Sequence, residues 1–249
     1  MRKVLLMTAV SLLAYAAVSC SKVEDNAGRL VFDIASEESL FAEVKGTTTS
    51  KVSDYTAIPG KNSFTLTVKN SSDVVVWKGL LSEWSSTATL PVGNYSVEAV
   101  YGSITEEGTD KPCFMGSTAF AVEGGITVKV GITTTLQNCI ARLECTESFK
   151  NYFPEYSFTV KSGAGKEFVF GKDMQKAIFI DAYKLTVSGT LTNQAGSTSK
   201  MAAKTFDNLE PATCYTLKMD ASNVGGTQVT IIFNNDVQDV DLGEIEINE

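Results

Sequence analysis

The sequence predicts an all-β protein of two tandem antiparallel β-sandwiches, transthyretin-like or immunoglobulin-like in type, behind an N-terminal signal segment. Three observations support this prediction: apolar and polar residues alternate along much of the chain, turn-forming residues separate the alternating runs, and the set of runs is repeated. Alternation with a period of two places one face of a strand in a core and the other face in water. Short strands at close spacing, without helices between them, are typical of sandwiches.

The first predicted sandwich covers residues 29–134. Its clearest strands are Leu30–Ile34, Phe64–Val68, Tyr95–Ala99 and Ile126–Ile132. The Thr, Val, Ile, Phe and Tyr residues that fill these runs favour strands. Clusters of proline, glycine and asparagine, such as Pro91–Asn94, supply turns between them.

A weak internal repeat predicts the second sandwich, residues 135–249. The matched segments, first copy before second, are Leu30–Ile34 with Cys139–Leu143, Ser63–Lys69 with Ser157–Lys161, Tyr95–Ala99 with Tyr183–Val187, and Ile126–Ile132 with Gln228–Phe233. The alternating segment Gly243–Asn248 is predicted to be the last strand. Each copy has about 100 residues, which is enough for a core of its own.

Only two short helices are predicted after the signal segment. Ser36–Val44 could form a turn or two with Ser36 as N-cap. Phe149–Phe153 is the second candidate, and Pro154 would end it.

Residues 1–19 are predicted to be a signal peptide. Arg2 and Lys3 precede the uncharged stretch Val4–Ala17, which is shorter than the roughly 20 residues that span a bilayer but suits a secretory signal. Cys20 directly follows small residues, and this arrangement resembles a bacterial lipobox, in which cleavage leaves the cysteine as a lipid-bearing N-terminus. Polar residues 20–28 are then a tether. The alternative is a plain cleavage site with Cys20 there by chance.

Composition excludes several classes of function. The net charge of −8 becomes −10 once Arg2 and Lys3 are removed, and no basic stripe is present to neutralise the phosphates of a nucleic acid. Histidine is absent, so Ser-His-Asp, Cys-His and histidine–zinc chemistry are excluded. Hydrolysis of glycans by carboxylates alone stays open. We expect no metal and no other cofactor.

The cysteines other than Cys20 are predicted to be structural. Cys139 and Cys145 alternate with polar neighbours on one strand, so both are expected to point into the core and to lie too far apart to bridge each other. The four thiols could pair in three ways. A bond between Cys113 and Cys214 is open, and nothing in the sequence favours it.

Trp84 is the candidate ligand-binding residue. It stands among polar residues just before a strand, where an exposed indole could stack on a sugar ring or anchor a partner. The alternative is that Trp84 packs under its own loop. Trp77 is expected to share a face with Val75 and to lie in the core.

The oxygen-rich segment 234–241 is the only other candidate for a ligand. Its acidic residues are Asp236, Asp239 and Asp241, beside Asn234 and Asn235. Calcium favours such ligands, but the segment lacks the glycine and the terminal glutamate of an EF-hand loop, so we predict a solvated hairpin loop. Asp33 is expected to face outward from its strand, and Thr47–Ser50 to lie in a long surface loop.

Several segments carry a resemblance to a known family: Ala17–Cys20, Gly28–Phe32, Leu90–Ala99, Phe114–Val122 and Val229–Asn234. Together they resemble lipoproteins of Bacteroides-type gut bacteria that form a domain-of-unknown-function family, similar to fimbrillin-type pilus subunits. The resemblance implies two transthyretin-like sandwiches and display at the cell surface. Pilus subunits of this kind assemble after a protease cuts at a basic residue and a neighbour's strand replaces the one removed. Arg29 is the residue at which such a cut would fall, and a surface arginine at the start of a strand is the alternative.

The expected function is that of a non-catalytic, lipid-anchored protein of the outer membrane, displayed at the cell surface, with a structural or adhesive, fimbrillin-like role. A glycan-binding surface lipoprotein is the alternative, and a carboxylate-based glycan hydrolase is a further one. The expected partners are the membrane, through the lipid on Cys20, and other surface proteins or glycans. No nucleic acid is expected.

Overall fold

The computed structural model describes residues 26–38, 50–173, 176–221, 228–233 and 236–241, the last two ranges as backbone only. The predictions for the signal peptide, Cys20, most of Ser36–Val44, Thr47–Thr49 and Gly243–Asn248 lie outside the described residues.

Strands dominate the described residues, which confirms the predicted all-β class. They contain one α-helix, α1 (Glu147–Tyr152). The strands of the N-terminal part are β1 (Ala27–Ser36), β2 (Thr65–Asn70), β3 (Val75–Leu80), β4 (Thr89–Pro91), β5 (Gly93–Tyr101), β6 (Phe114–Val122) and β7 (Thr127–Leu136). The strands of the C-terminal part are β8 (Asn138–Cys145), β9 (Glu155–Ser162), β10 (Glu167–Gly171), β11 (Ile178–Asp181), β12 (Lys184–Thr192), β13 (Thr198–Asp207), β14 (Cys214–Asp220), β15 (Gln228–Phe233) and β16 (Asp236–Asp241).

The first seven strands form one sheet in the order β3-β2-β5-β6-β7-β1-β4. β6 and β7 pair only through Phe114 with Leu136 and Met115 with Thr135, at one corner. The two halves of the sheet then enclose one core, because Leu66 and Val97 from one half and Leu30 from the other belong to the same buried cluster. This part is the first sandwich.

The second sandwich repeats this arrangement with two separate sheets, β10-β9-β12-β13 and β11-β8-β14-β15-β16. The orders β3-β2-β5-β6 and β4-β1-β7 of the first sandwich recur in them, strand for strand. The hairpin β15–β16 is added at the end. The internal repeat is therefore a repeat of topology as well as of sequence.

The prediction that matched Ile126–Ile132 with Gln228–Phe233 was wrong. β7 runs parallel to β1, and in the second sandwich the strand that runs parallel to β8 is β14, Cys214–Asp220. β15 pairs with the far side of β14, and no described strand of the first sandwich corresponds to it. These two parallel pairs also interrupt the antiparallel pattern, which is possible because a long stretch of chain separates the paired strands.

A continuous apolar contact joins the two sandwiches. Ile140, Phe179 and Cys214 belong to strands of the second sandwich, yet they are buried in the core cluster of the first. Their strand neighbours Cys139, Ile178 and Tyr215 point the other way, into the core of the second sandwich. The β11-β8-β14 part of this sheet is thus buried on both faces. The proposed boundary between residues 134 and 135 falls inside β7, and the division into two domains stays a prediction.

The helix α1 lies between the first two strands of the second sandwich, where the segment Phe149–Phe153 predicts it. Thr146 is its N-cap and accepts a hydrogen bond from the backbone N–H of Phe149. Phe149 is fully buried in the second core, and this contact fixes the helix to the sheets.

The prediction for the cysteines of β8 is confirmed. Cys139 and Cys145 lie on the same side as Ala141 and Leu143, in or against the second core. The four cysteines among the described residues are free thiols, including Cys113 and Cys214.

Candidate functional site

Trp84 packs under its own loop. Its indole N–H donates to the backbone carbonyl of Leu30 over 3.1 Å. The ring makes edge contacts with Phe32 at 5.0 Å and with Trp77 at 4.9 Å between centroids. The alternative interpretation of this residue is therefore the one that the structure shows, and binding of a ligand by Trp84 stays a prediction.

Trp77 packs against the first core but does not share its environment with Val75, which is 48 % exposed. A β-bulge between the partners of Val68 and Lys69 places Val76 as an extra residue. The bulge disturbs the alternation on which the prediction for Val75 rested. Val74, Val75 and Val76 are all exposed at this edge of the sheet.

The acidic segment near the C-terminus is a strand and not the predicted loop. Asp236, Asp239 and Asp241 belong to β16, whose backbone pairs with β15. Within the described part of the chain, no group of three or more Cys, Asp or Glu side chains is placed to hold a metal ion. Asp33 faces outward, as predicted, and forms an ion pair with Lys61 at 3.2 Å.

Arg29 lies inside β1 and not before it. It pairs with Thr89 of β4 on one side and with Thr127 of β7 on the other. Its Nε atom is buried without a hydrogen-bond partner among the described residues. A protease could cut next to Arg29 only after this end of β1 had left both neighbours.

A cleft of about 500 Å³ lies between the two sandwiches, and no motif in the sequence indicates it. The first sandwich contributes Asp54, Tyr55 and Asp110. The second contributes the end of β8, the end of β10 and side chains around them, namely Arg142, Leu143, Glu144, Cys145, Lys150, Tyr156, Gly171, Lys172, Lys176 and Ala177. Its volume is in the range of about 300–1,000 Å³ that is usual for ligand sites.

The cleft exists because β11 is shorter than β8. The two strands pair from Asn138 with Asp181 to Ala141 with Ile178, and residues 142–145 of β8 extend beyond this ladder. On their other side these residues pair with β14. Among the described residues, no strand therefore pairs with this edge of β8 along the floor of the cleft. No local sequence signal marks it, because it depends on the lengths of two strands that are distant in the chain.

The charged groups of the cleft are paired with one another or with residues at its rim. Arg142 bonds Glu144 at 2.8 Å, Lys172 bonds Glu155 at 2.6 Å, and Lys176 bonds Asp110 at 3.3 Å. Four cationic side chains face three carboxylates among the lining residues. The cleft is thus slightly positive in a chain of net charge −8.

The thiol of Cys145, which lines the cleft, is protonated at neutral pH. Burial raises the pKa of Cys145 to about 11, and burial together with the charge of Cys145 raises the pKa of Tyr156 to about 12. The two side chains share a hydrogen bond. Because the thiolate is the nucleophilic form, Cys145 is not suited to covalent catalysis at neutral pH.

A buried carboxylate holds the two sandwiches together beside the cleft. Glu107 is 3 % exposed, and its side chain accepts hydrogen bonds from the hydroxyl of Ser162 and from the backbone N–H of Asp181. Next to it, Gly108 and Phe179 form a two-way backbone bridge between the sandwiches, with bonds of 2.8 and 2.9 Å. These contacts fix the orientation of the cleft walls.

The described residues contain no helix that is long and apolar enough to cross a bilayer.

Several solved structures are similar to this chain over most of its length. One is a candidate polysaccharide-binding protein of Bacteroides thetaiotaomicron, with 13 % identity, 86 % of this chain and 97 % of the other covered, and a TM-score of 0.44. Another is a candidate cell adhesion protein of Bacteroides ovatus, with 11 % identity, 88 % and 98 % covered, and a TM-score of 0.45. A third is a fimbrial assembly protein of Parabacteroides distasonis, with 10 % identity, 86 % and 98 % covered, and a TM-score of 0.40.

A search of curated proteins gives no match. The family model described as domain of unknown function DUF4493 matches residues 26–249, which include both sandwiches. The chain therefore belongs to the DUF4493 family, in agreement with the resemblance found in its sequence.

Proposed function

We propose that this protein is a non-catalytic, lipid-anchored component of the outer membrane, displayed at the cell surface, with a structural or adhesive role. The observation that carries the proposal is the apolar contact between the sandwiches. Phe179 and Ile140 are fully buried where the two units meet, and Glu107 adds buried hydrogen bonds there. Two modules joined in this way form a stiff body that presents binding surfaces at a fixed distance from an anchor.

The anchor in this proposal is lipid on Cys20. Only residues 21–26 separate Cys20 from β1, which begins at Ala27. A fully extended chain rises at most about 3.3–3.6 Å per residue, so the first sandwich would stand within roughly 25 Å of the lipid. The acidic surface of the chain supports attachment by lipid and not by a polybasic patch.

Membrane fractionation and surface proteolysis test the proposal. Cys20→Ala should move the protein from the membrane fraction to the soluble fraction. Ser21→Ala, a neighbouring control, should leave the protein in the membrane fraction. Protease added to intact cells should degrade the wild-type protein if it is displayed outward. Retention of Cys20→Ala in the membrane fraction would contradict lipid anchoring, and full protection from protease would contradict display.

An adhesive role predicts a further result. Cells that lack the protein should lose attachment to a surface or to neighbouring cells. The wild-type gene should restore attachment, whereas the gene for Cys20→Ala should not. The glycan-binding alternative predicts a change in tryptophan fluorescence with polysaccharide. Trp84→Ala would abolish this change if the indole contacts the sugar.

A further inference from the structure

The edge of β1 in the first sandwich corresponds to the edge of β8 in the second, but different groups lie against the two edges. In each, a short strand pairs with only the beginning of a longer one: β4 covers Ala27 to Arg29 of β1, and β11 covers Asn138 to Ala141 of β8. Beyond these points the longer strand has backbone groups that face outward, on the side that the short strand has left. In a sheet such groups bind another strand or a substitute for one.

In the first sandwich, the side chain of Trp84 takes the place of a paired strand. Leu30 follows the last residue of β1 that β4 covers, and its carbonyl accepts the indole N–H of Trp84. Phe32, the next residue on that side, packs against the same indole. A residue of its own loop therefore covers this edge at Leu30 and Phe32.

In the second sandwich nothing among the described residues closes the edge. Alternate residues of a strand direct their backbone groups to opposite sides, and the N–H groups of Ile140 and Thr146 bond toward β14. Leu143 and Cys145 therefore direct their backbone N–H and C=O groups to the opposite side of β8, into the cleft. Within the described ranges, no hydrogen bond reaches the backbone N–H or C=O of either residue on that side.

We propose that the cleft binds an extended peptide segment of a partner protein, which adds to the sheet as a strand beside Leu143 and Cys145 of β8. Free ladder groups give such a peptide its main-chain hydrogen bonds, which is the usual basis of recognition by strand addition. The cleft has room for a few peptide residues beside this edge.

The charge of the cleft selects an acidic peptide. Lys172 and Lys176 stand at the rim with side chains 44 % and 74 % exposed, each able to turn from its present carboxylate partner to another. Lys150 and Arg142 add two more positive groups. A peptide with carboxylates on either side of its central residue would meet these cations.

The edge at β3 is a weaker candidate because it carries two features that oppose pairing. The bulge at Val76 twists the strand, and Lys78 places a charge on it. Natural edge strands use both devices to prevent addition of another strand. The edge of β8 has no bulge in its described pairing.

Hydrogen exchange with three synthetic peptides tests the proposal on the full chain in detergent. The probe is acetyl-Thr-Val-Glu-Trp-Glu-Val-Thr-amide. One control peptide has proline in place of the central tryptophan, which removes an N–H donor, and the other has lysine in place of both glutamates. The probe should slow exchange at the amides of Leu143 and Cys145 at least tenfold. The proline and lysine peptides should bind at least tenfold more weakly.

Gly171→Trp gives an independent test by closing the cleft. A Cβ atom at Gly171 would stand 3.9 Å from its nearest neighbour, the carbonyl oxygen of Tyr156, so the variant is expected to fold. Gly131→Trp is the matched control, since a Cβ there has open space on β7, away from the cleft. Binding of the probe should fall at least tenfold in the first variant and stay unchanged in the second.

Three results would overturn the proposal: no binding of the probe at millimolar concentration, binding without protection of Leu143 and Cys145, or equal binding to the Gly171→Trp variant. Equal affinity for the lysine peptide would overturn its acidic part. The inference rests on the geometry of the sheet and the charges of the cleft, and not on the lipid anchor. If the lipid-anchoring test fails, the proposal for the peptide site is unaffected. If the peptide test fails, the proposal of lipid anchoring is unaffected.

Discussion

The two sandwiches share one strand order but differ in how they close. The first completes its sheet at the corner where β6 meets β7, and Trp84 covers the open part of β1. The second keeps its sheets separate, extends one of them by β15 and β16, and leaves the open part of β8 beside a cleft. Among the described residues, the same edge of one topology is thus partly covered in the first copy and uncovered in the second.

This difference shows where a repeated fold gains a binding surface. The ladders that define the topology are shared by the two copies, because they hold the cores. The ends of the short strands are free to vary, because a few residues more or fewer there leave the cores intact. In this chain, the variation at the ends of β4 and β11 decides which edge is covered.

The largest expected effect concerns the contact that couples the two sandwiches. Phe179→Ala removes a fully buried ring that β11 inserts into the first core, and should cost about 3–5 kcal/mol of unfolding free energy. Denaturation followed by tryptophan fluorescence, which reports on the first sandwich, and by far-UV circular dichroism should then give separate transitions.

Phe170→Ala is the matched control for this prediction. Phe170 is equally buried but belongs to the second core alone. Its loss leaves the contact between the sandwiches in place, so the fluorescence and circular dichroism signals should still change together, at a lower denaturant concentration. Separate transitions in both variants would show that the contact through Phe179 does not couple the sandwiches.

The next effect concerns the corner that closes the first sandwich. A Cβ atom at Gly116 of β6 would collide with the backbone carbonyl of Thr133 on β7. Gly116→Ala should therefore force the two strands apart and cost about 1–3 kcal/mol, measured by denaturant unfolding. Gly131→Ala, on the same β7 but in open space, should change stability by much less. Equal effects would mean that the close approach at this corner is not needed.

A smaller effect is expected at the edge that Trp84 covers. Trp84→Phe keeps an aromatic ring but removes the donor to the carbonyl of Leu30, and should cost about 1–2 kcal/mol because that acceptor loses its partner. Trp77→Phe, whose indole N–H has no bond to another described residue, should cost less. Denaturant unfolding measures both, and a reversed order would contradict the role given to Trp84.

The smallest expected effect concerns Thr146, which both caps α1 and binds the carboxylate of Asp220. Thr146 caps α1, and its hydroxyl and that of Ser148 donate to Asp220, which lowers the pKa of that carboxyl. A folded pKa below the unfolded one means that this stabilisation is present at pH values above the unfolded pKa and is lost as pH falls through the folded pKa. Thr146→Ala should cost about 1 kcal/mol at neutral pH, with a smaller loss in acid.

Titration by NMR checks the same change directly. The pKa of Asp220 should rise toward its ordinary value in Thr146→Ala. Ser148→Ala should raise it less, because Thr146 makes the larger contribution and the cap is retained. An unchanged pKa in Thr146→Ala would show that the hydroxyl does not hold the charged form.

The alternation of apolar residues predicted the strands whose two faces differ most. Tyr95, Val97 and Ala99 are buried where the pattern places them, and so are Leu185 and Val187. The pattern was less informative at strand ends. Ile126 is 50 % exposed just before β7 begins, and Tyr183 is 69 % exposed just before β12 begins.

What the sequence did not predict depends on contacts between distant segments. Trp84 stands among polar neighbours, so its burial follows from the positions of Phe32 and Trp77 and not from its own surroundings. The role of β14 as the closing strand follows from its parallel pairing with β8, which local alternation does not specify. The cleft has the same origin, because it reflects the relative lengths of β8 and β11.

The parallel pairing of β1 with β7 has a consequence for how the chain is made. Residues 30–36 pair only with residues 128–134, so nearly the whole first sandwich must leave the ribosome before most of its first strand is paired. Folds dominated by such distant contacts form slowly, in milliseconds to seconds. The late partner of β1 therefore keeps the first sandwich from closing until synthesis of this part of the chain is almost complete.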